Sequence, residues 1–125
     1  MDNKQSSEDV VFDSVAELFG VLSTPIRLKI ISALCGHEKN VSQLLAEIDT
    51  TQPNMSQHLS TLYRAGVLGR RREGTQIHYR LESERVATLC RAVCTQVAIE
   101  MDGVAALHPH ERLLLETPAP GGGPP

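Results

Sequence analysis

At 125 residues, with a formal net charge of −3, two Tyr, two Phe and no Trp, the chain has room for one small domain with an aliphatic core and none for a second. Three cysteines are too few for a disulfide framework, and the polar opening and short apolar runs resemble neither a signal peptide nor a membrane span, so a cytoplasmic protein with no membrane partner is expected. Net acidity counts against nucleic acid as a partner, yet residues 64–80 hold five Arg against one Glu, and local charge decides contact with phosphate.

Residues 1–9 are polar and expected to form a flexible arm. Between residues 10 and 22, Val11, Val15, Leu18, Phe19 and Leu22 recur at threes and fours, the spacing of an amphipathic helix and a candidate dimer helix. Ser23, Thr24 and Pro25 supply a cap and a first-turn proline for the next helix. Its Ile26, Leu28, Ile30, Ile31, Ala33 and Leu34 are too apolar all round for a surface helix, so it is expected at the centre of the fold. Cys35 and Gly36 end it, and residues 37–40 read as a polar loop with Asn40 as the following N-cap.

Val41, Leu44, Leu45 and Ile48 then mark a short supporting helix with one apolar face. Asp49, Thr50 and Thr51 interrupt it, and Pro53 falls in the first turn of a new helix, where its missing N–H costs little. Met55, Leu59, Leu62 and Tyr63 form the expected buried stripe of that helix, leaving Gln52, Asn54, Ser56, Gln57 and Ser60 on the other side. A helix-turn-helix puts the N-terminal half of its second helix into the major groove, where short amides and hydroxyls reach base edges. Gly66 reads as a left-handed C-cap, Val67 and Leu68 start a strand, and Arg70, Arg71 and Arg72 lead to a turn at Glu73 and Gly74. Residues 77–81 alternate as the returning strand, so the hairpin tip is the wing.

This segment, SQHLSTLYRAGVLGRRREGTQIHYRL, resembles the DNA-binding segment of the ArsR-type transcriptional repressors. The pattern is carried by Ser56, His58, Leu59, Leu62, Ala65, Gly66, Val67 and Leu68, then by Arg72, Gly74 and Tyr79. Thr24, Pro25, Arg27 and Leu28 match the family's upstream helix start, so the resemblance spans residues 15–95 or so. It implies a mainly α fold with a small β-hairpin wing, a winged helix-turn-helix dimer built from the first and last helices. It also implies a pseudo-palindromic operator in double-stranded DNA. Gln52, Asn54, Ser56, Gln57, Ser60, Arg71, Arg72, Thr75 and Gln76 are the expected DNA-contacting residues.

Residues 83–101 are expected as a long last helix whose Val86, Leu89, Cys90, Val93, Cys94, Val97 and Met101 form a stripe. That stripe calls for a partner helix, most simply its own copy in a homodimer. Gly103 ends the helix. The winged domain is thus bounded as residues 10–103, with residues 104–125 a largely disordered Pro/Gly-rich extension.

The ArsR resemblance implies an inducer, and the family's ligand positions can be compared one at a time. The metal–thiolate site needs a Cys-x-Cys near residues 40–42, which is absent, and the zinc or nickel site would fall on Ser83, Arg85, Gln96 and Ile99. No metal site and no cofactor are therefore expected. The remaining sensors are Cys35 at the end of the central helix and Cys90 and Cys94 on the last helix. The persulfide- and redox-responsive branch of the family, the BigR, SqrR and HlyU type, pairs one cysteine on the central helix with one on the last. Its cysteines would fall at Ser32 and near Ala98, so Cys35 comes about one turn late and Cys94 about one turn early. The resemblance implies a repressor released by a small sulfur or oxidant inducer.

Cys90 and Cys94 lie four apart, about 5 to 6 Å between Cβ atoms on an intact helix, where a disulfide needs about 4 Å. The pair could instead hold arsenite or another soft metal, with Cys35 or a partner's cysteine as third thiolate. Both also sit on an apolar stripe, where cysteines commonly just pack. His58 reads as a structural hydrogen-bonding residue, His37 and His78 as surface residues, and His108 and His110 as tail residues. A thiol redox enzyme would need strand and helix alternation that the chain lacks, so no enzyme is expected.

Overall fold

The computed structural model describes residues 6–102. They form α1 (Ser7–Val21), α2 (Pro25–Ala33), β1 (Lys39–Asn40), α3 (Val41–Glu47), α4 (Gln52–Arg64), β2 (Leu68–Glu73), β3 (Gln76–Leu81) and α5 (Glu84–Asp102). The fold is mainly helical with a small antiparallel sheet, a winged helix-turn-helix. A first unit runs through Ala87 and a second begins at Thr88, within α5. The extension expected over residues 104–125 lies outside the described residues.

Each helix of the first unit starts where a short polar side chain accepts a backbone N–H that the helix cannot satisfy itself. Ser6 Oγ accepts from the Asp9 amide at 3.1 Å and Asp9 answers by accepting from the Ser6 amide, a reciprocal capping box. Helix α1 therefore begins at Ser7, inside the stretch expected as a flexible arm. Thr24 caps α2 through the Arg27 amide at 3.1 Å with Pro25 just inside, and Thr51 caps α4 through the Asn54 amide at 3.2 Å. Asn40 and Gln43 form a second capping box at the head of α3.

The core is aliphatic, as the composition requires. Ile30, Ile31 and Leu34 from α2, Leu44 from α3, and Met55, Leu59 and Leu62 from α4 are buried together with Val67, Leu68, Tyr79 and Val86. Each fully buried side chain of this size contributes roughly 1.5 to 3 kcal/mol relative to exposure. This burial holds α4 by one stripe at positions 55, 59 and 62 and leaves its opposite side free. In contrast α1 buries none of its residues, and Val10, Val11, Phe12, Val15 and Phe19 are exposed.

Gly66 ends α4 at φ +80°. The Val67 amide donates to the Leu62 carbonyl and the Gly66 amide to the Tyr63 carbonyl, both at 3.0 Å, a Schellman motif sealed by the buried Leu62 and Val67. The chain turns directly into β2. Glu73 pairs with Gln76, which leaves Gly74 and Thr75 as a two-residue turn with positive φ only at Gly74. That is the type II′ arrangement, whose twist suits the two flanking strands.

The sheet differs from a bare hairpin. Its order is β1-β3-β2, with Lys39 opposite Tyr79 and Asn40 opposite His78. The segment expected as polar loop thus contributes a two-residue edge strand. It has no periodicity of its own, and the open edge of β3 supplies its hydrogen bonds.

Ser83 Oγ accepts from the Val86 amide at 3.2 Å and starts α5, and Val86 is buried in the first unit. In the second unit, Val93, Val97 and Met101 are exposed. Among the described residues no helix is long and apolar enough to cross a membrane.

Candidate nucleic-acid interface

On α4 the sites predicted from the sequence separate as the stripe demands. Gln52, Asn54, Ser56 and Gln57 are exposed and Ser60 is half-buried, while Met55, Leu59 and Leu62 are fully buried. The exposed set occupies the N-terminal half of the helix, the part that enters a major groove in this fold. Asn54 also donates from Nδ2 to Thr50 Oγ1 at 3.4 Å, a long bond that a base edge can replace. Tyr63, expected in the buried stripe, is half turned out, with 38% exposure.

His58 faces the protein. Its Nδ1 accepts from Arg27 Nε at 3.1 Å, and Arg27 also donates from a terminal nitrogen to the Val21 carbonyl at 2.9 Å. Burial first, and the Arg27 charge second, push the His58 pKa below its ordinary 6.5. His58 is thereby held as a neutral acceptor, and one α2 side chain ties the last turn of α1 to the middle of α4. Arg27 was legible as part of the helix-start motif, but its role was not.

The three consecutive arginines of β2 do not act together. Strand alternation puts Arg70 and Arg72 on one face with Leu68 and the paired Tyr79 and Ile77, and Arg71 on the other with Gly69, Glu73 and the paired His78. Arg70 lies over the Tyr63 ring at 3.9 Å from its centroid, a cation–π contact between wing and α4. Hydrogen bonding to Tyr79, then to Tyr63, raises its pKa.

On the opposite face Arg71 Nε lies 2.9 and 3.1 Å from the two Glu38 oxygens, with a terminal nitrogen also 2.9 Å from Oε1. Its other terminal nitrogen is 3.2 Å from Glu73 Oε1, which His78 Nε2 approaches at 3.4 Å. The Arg71 hydrogen bond is the largest cause lowering the Glu38 pKa, and the same bond raises that of Arg71. Gln76 accepts from Asn40 Nδ2 at 2.7 Å. Thr75 sits exposed at the tip, and Arg72 is exposed with no ion pair among the described residues. Of the predicted wing residues, Arg72 and Thr75 are therefore open to a ligand, while Arg71 and Gln76 are already engaged within the protein. Glu38 and Asn40, which hold them, carried no signal beyond polarity and a capping position.

Residues 24–68 match the family model described as bacterial regulatory protein, arsR family. The chain is 40% identical over 79 residues to the biofilm growth-associated repressor of Agrobacterium fabrum, covering 63% of this chain and 68% of that one. The chain belongs to the ArsR family. Among solved structures, the transcriptional repressor BigR from Xylella fastidiosa superposes with a TM-score of 0.65 at 36% identity, covering 72% of this chain and 94% of that one. A homodimeric winged helix-turn-helix DNA-binding domain from Mycobacterium bovis, a possible ArsR-family regulator, gives a TM-score of 0.68 at 26% identity over 82% and 94%. As an ArsR-family member the protein is a DNA-binding transcriptional repressor and not an enzyme.

The predicted sensor residues of this ArsR repressor occupy two units. In the first, Cys35 is half-buried between Leu34, the C-cap of α2, and Gly36, whose φ of +83° turns the chain into the polar loop. In the second, Cys90 is half-buried and Cys94 exposed on α5, one helical turn apart. None is in a disulfide. Among the described residues no group of three or more His, Cys, Asp and Glu side chains is arranged to hold a metal ion. His108 and His110 lie outside the described residues.

Proposed function

We propose that this ArsR-family repressor binds a pseudo-palindromic operator as a homodimer and releases it when a small sulfur or oxidant inducer modifies its cysteines. The α4 residues Gln52, Asn54, Ser56, Gln57 and Ser60 read bases, and Arg72 and Thr75 of the wing meet the backbone. The exposed apolar residues of α1 and, separately, of α5 are the faces a second copy would cover.

The observation that carries the switch is the placement of Cys35. It directly follows Leu34, the C-cap of the same helix whose Arg27 grips His58 of the recognition helix and the Val21 carbonyl of α1. A bulky or cross-linked sulfur at the end of α2 would shift that helix and disturb both grips. Because a dimer must engage two half-sites at once, a small shift in the spacing of its recognition helices costs much affinity.

The chemistry needs a thiolate that solvent can reach, which a half-buried helix-end cysteine can provide. The Cys35 thiolate attacks a sulfane sulfur and keeps it as a persulfide, while the shortened polysulfide leaves with the electron pair. A second cysteine thiolate that attacks this persulfide expels hydrosulfide and leaves a disulfide, which reductant reverses. The similarity to biofilm growth-associated repressors supports the repressor part of this reading. A second reading, arsenite or a soft metal bound by Cys90 and Cys94, is favoured by their one-turn spacing with Cys94 exposed.

DNA affinity measured with intact mass tests both readings. Polysulfide is expected to lower the affinity of the wild type reversibly, with the loss of two hydrogens that a disulfide leaves in the intact mass, while Cys35→Ser stays bound under the same treatment. Release of Cys35→Ser as readily as wild type would reduce Cys35 to packing. Indifference to polysulfide with release by arsenite, lost in Cys90→Ser and Cys94→Ser, would establish the second reading instead.

A further inference from the structure

Two side chains of the connection between α2 and α3 reach across the sheet and hold the two strands of the wing separately. Glu38 spans β3 to grip Arg71 of β2 with three N–O approaches of 2.9 to 3.1 Å, and Asn40 bonds Gln76 of β3 at 2.7 Å. Both lie on the face that alternation turns away from Tyr79 and the core. A two-stranded ribbon beyond its last packed residue twists readily. Here β1 is only two residues long and pairs no further along β3 than His78. The Arg70–Tyr63 contact anchors the root of the wing to α4, and further out the hairpin has these two side chains, and little backbone, to set its direction.

The Arg71 charge is also spoken for. It lies between two carboxylates, Glu38 and Glu73, in a forked geometry that an exposed single-point pair lacks. A phosphate oxygen would have to displace one of them. Arg72, on the opposite face and nearer the tip, has no such competitor among the described residues.

We propose that Glu38 is a positioning residue for DNA binding: through the Arg71 guanidinium it fixes the direction of the wing, so that Arg72 meets phosphate already ordered. This rests on the proposed contact between wing and DNA. Removing the clamp leaves the final complex with the same phosphate contacts but adds the entropy cost of ordering the hairpin on binding. Affinity falls while the salt dependence, which counts phosphates, stays the same.

The test compares Glu38→Gln, Arg72→Ala and the charge swap Glu38→Arg with Arg71→Glu, using a duplex the protein selects from a random pool, over a range of salt. Glu38→Gln is expected to weaken binding about three- to tenfold with the slope of log K against log salt unchanged. The swap re-forms the pair with reversed polarity and is expected to return affinity to within about twofold of wild type. Arg72→Ala is expected to flatten the slope by about one unit per wing. A swap that binds worse than Glu38→Gln with a flatter slope would make Arg71 a phosphate contact and overturn the proposal. Unchanged or tighter binding by Glu38→Gln, with Arg72→Ala behaving as expected, would overturn the proposal alone. An Arg72→Ala protein with wild-type slope would take the wing off the DNA and overturn both.

Discussion

Arg27 is the most economical place to perturb the coupling between the helices of the first unit. Arg27→Met keeps most of the aliphatic stem but removes the donor at 3.1 Å from His58 Nδ1 and the donor at 2.9 Å from the Val21 carbonyl. Hydrogen bonds from a charged donor are worth about 1.5 to 3 kcal/mol each when well shielded. Both groups here are only part-buried, so a total loss of about 1 to 3 kcal/mol is expected. Urea unfolding at fixed protein concentration and pH 7.5 measures it. The pH dependence adds a sign. The His58 pKa lies below 6.5 in the folded state, so as pH falls through 6.5 the unfolded chain takes up a proton that the folded protein resists. Stability therefore declines as pH is lowered below 6.5, down to the folded pKa, and is unaffected by this group above it. Replacing His58 with Gln should remove that part of the decline. Wild-type stability in Arg27→Met, or a pH profile identical in wild type and His58→Gln, would refute the clamp.

Three further outcomes are expected. Leu59→Ala, at a position with no exposure, should cost about 2 to 5 kcal/mol by urea unfolding, because α4 is held by one stripe and cannot collapse onto the gap. Gly66→Ala should cost about 1 to 2 kcal/mol, since φ of +80° is left-handed and no neighbour offers the new methyl any packing. Phe19→Glu, on a side chain 53% exposed in α1, should leave the protomer folded but give a monomeric mass by light scattering and weaker DNA binding.

What could be read from the residues was what depends on neighbours in the chain. The stripe of Met55, Leu59 and Leu62, the caps at Thr24 and Asn40, the proline after Thr24 and the glycine after Ala65 are all local rules, and each reappears in the fold. The start of α1 was equally local. Ser6 and Asp9 stand three apart as a capping box requires, within a segment whose uniform polarity masks the signal. β1 was not legible, since Lys39 and Asn40 become a strand only by meeting residues 78 and 79. The arginine run shows the other limit. Period-two alternation along β2 was enough to divide Arg71 from Arg70 and Arg72, but nothing in the sequence says that Glu38 waits on the Arg71 side or Tyr63 on that of Arg70.

The claim that the exposed half of α4 reads bases is tested most directly by the affinity of Gln57→Ala for selected and scrambled duplexes at one salt concentration. Gln57 is exposed on the groove side, and its backbone carbonyl is bonded by Thr61, which leaves the side-chain amide for DNA. A loss of about 1 to 3 kcal/mol is expected on the selected duplex, with the scrambled affinity unchanged. Equal loss on both duplexes, or none on either, would contradict the claim.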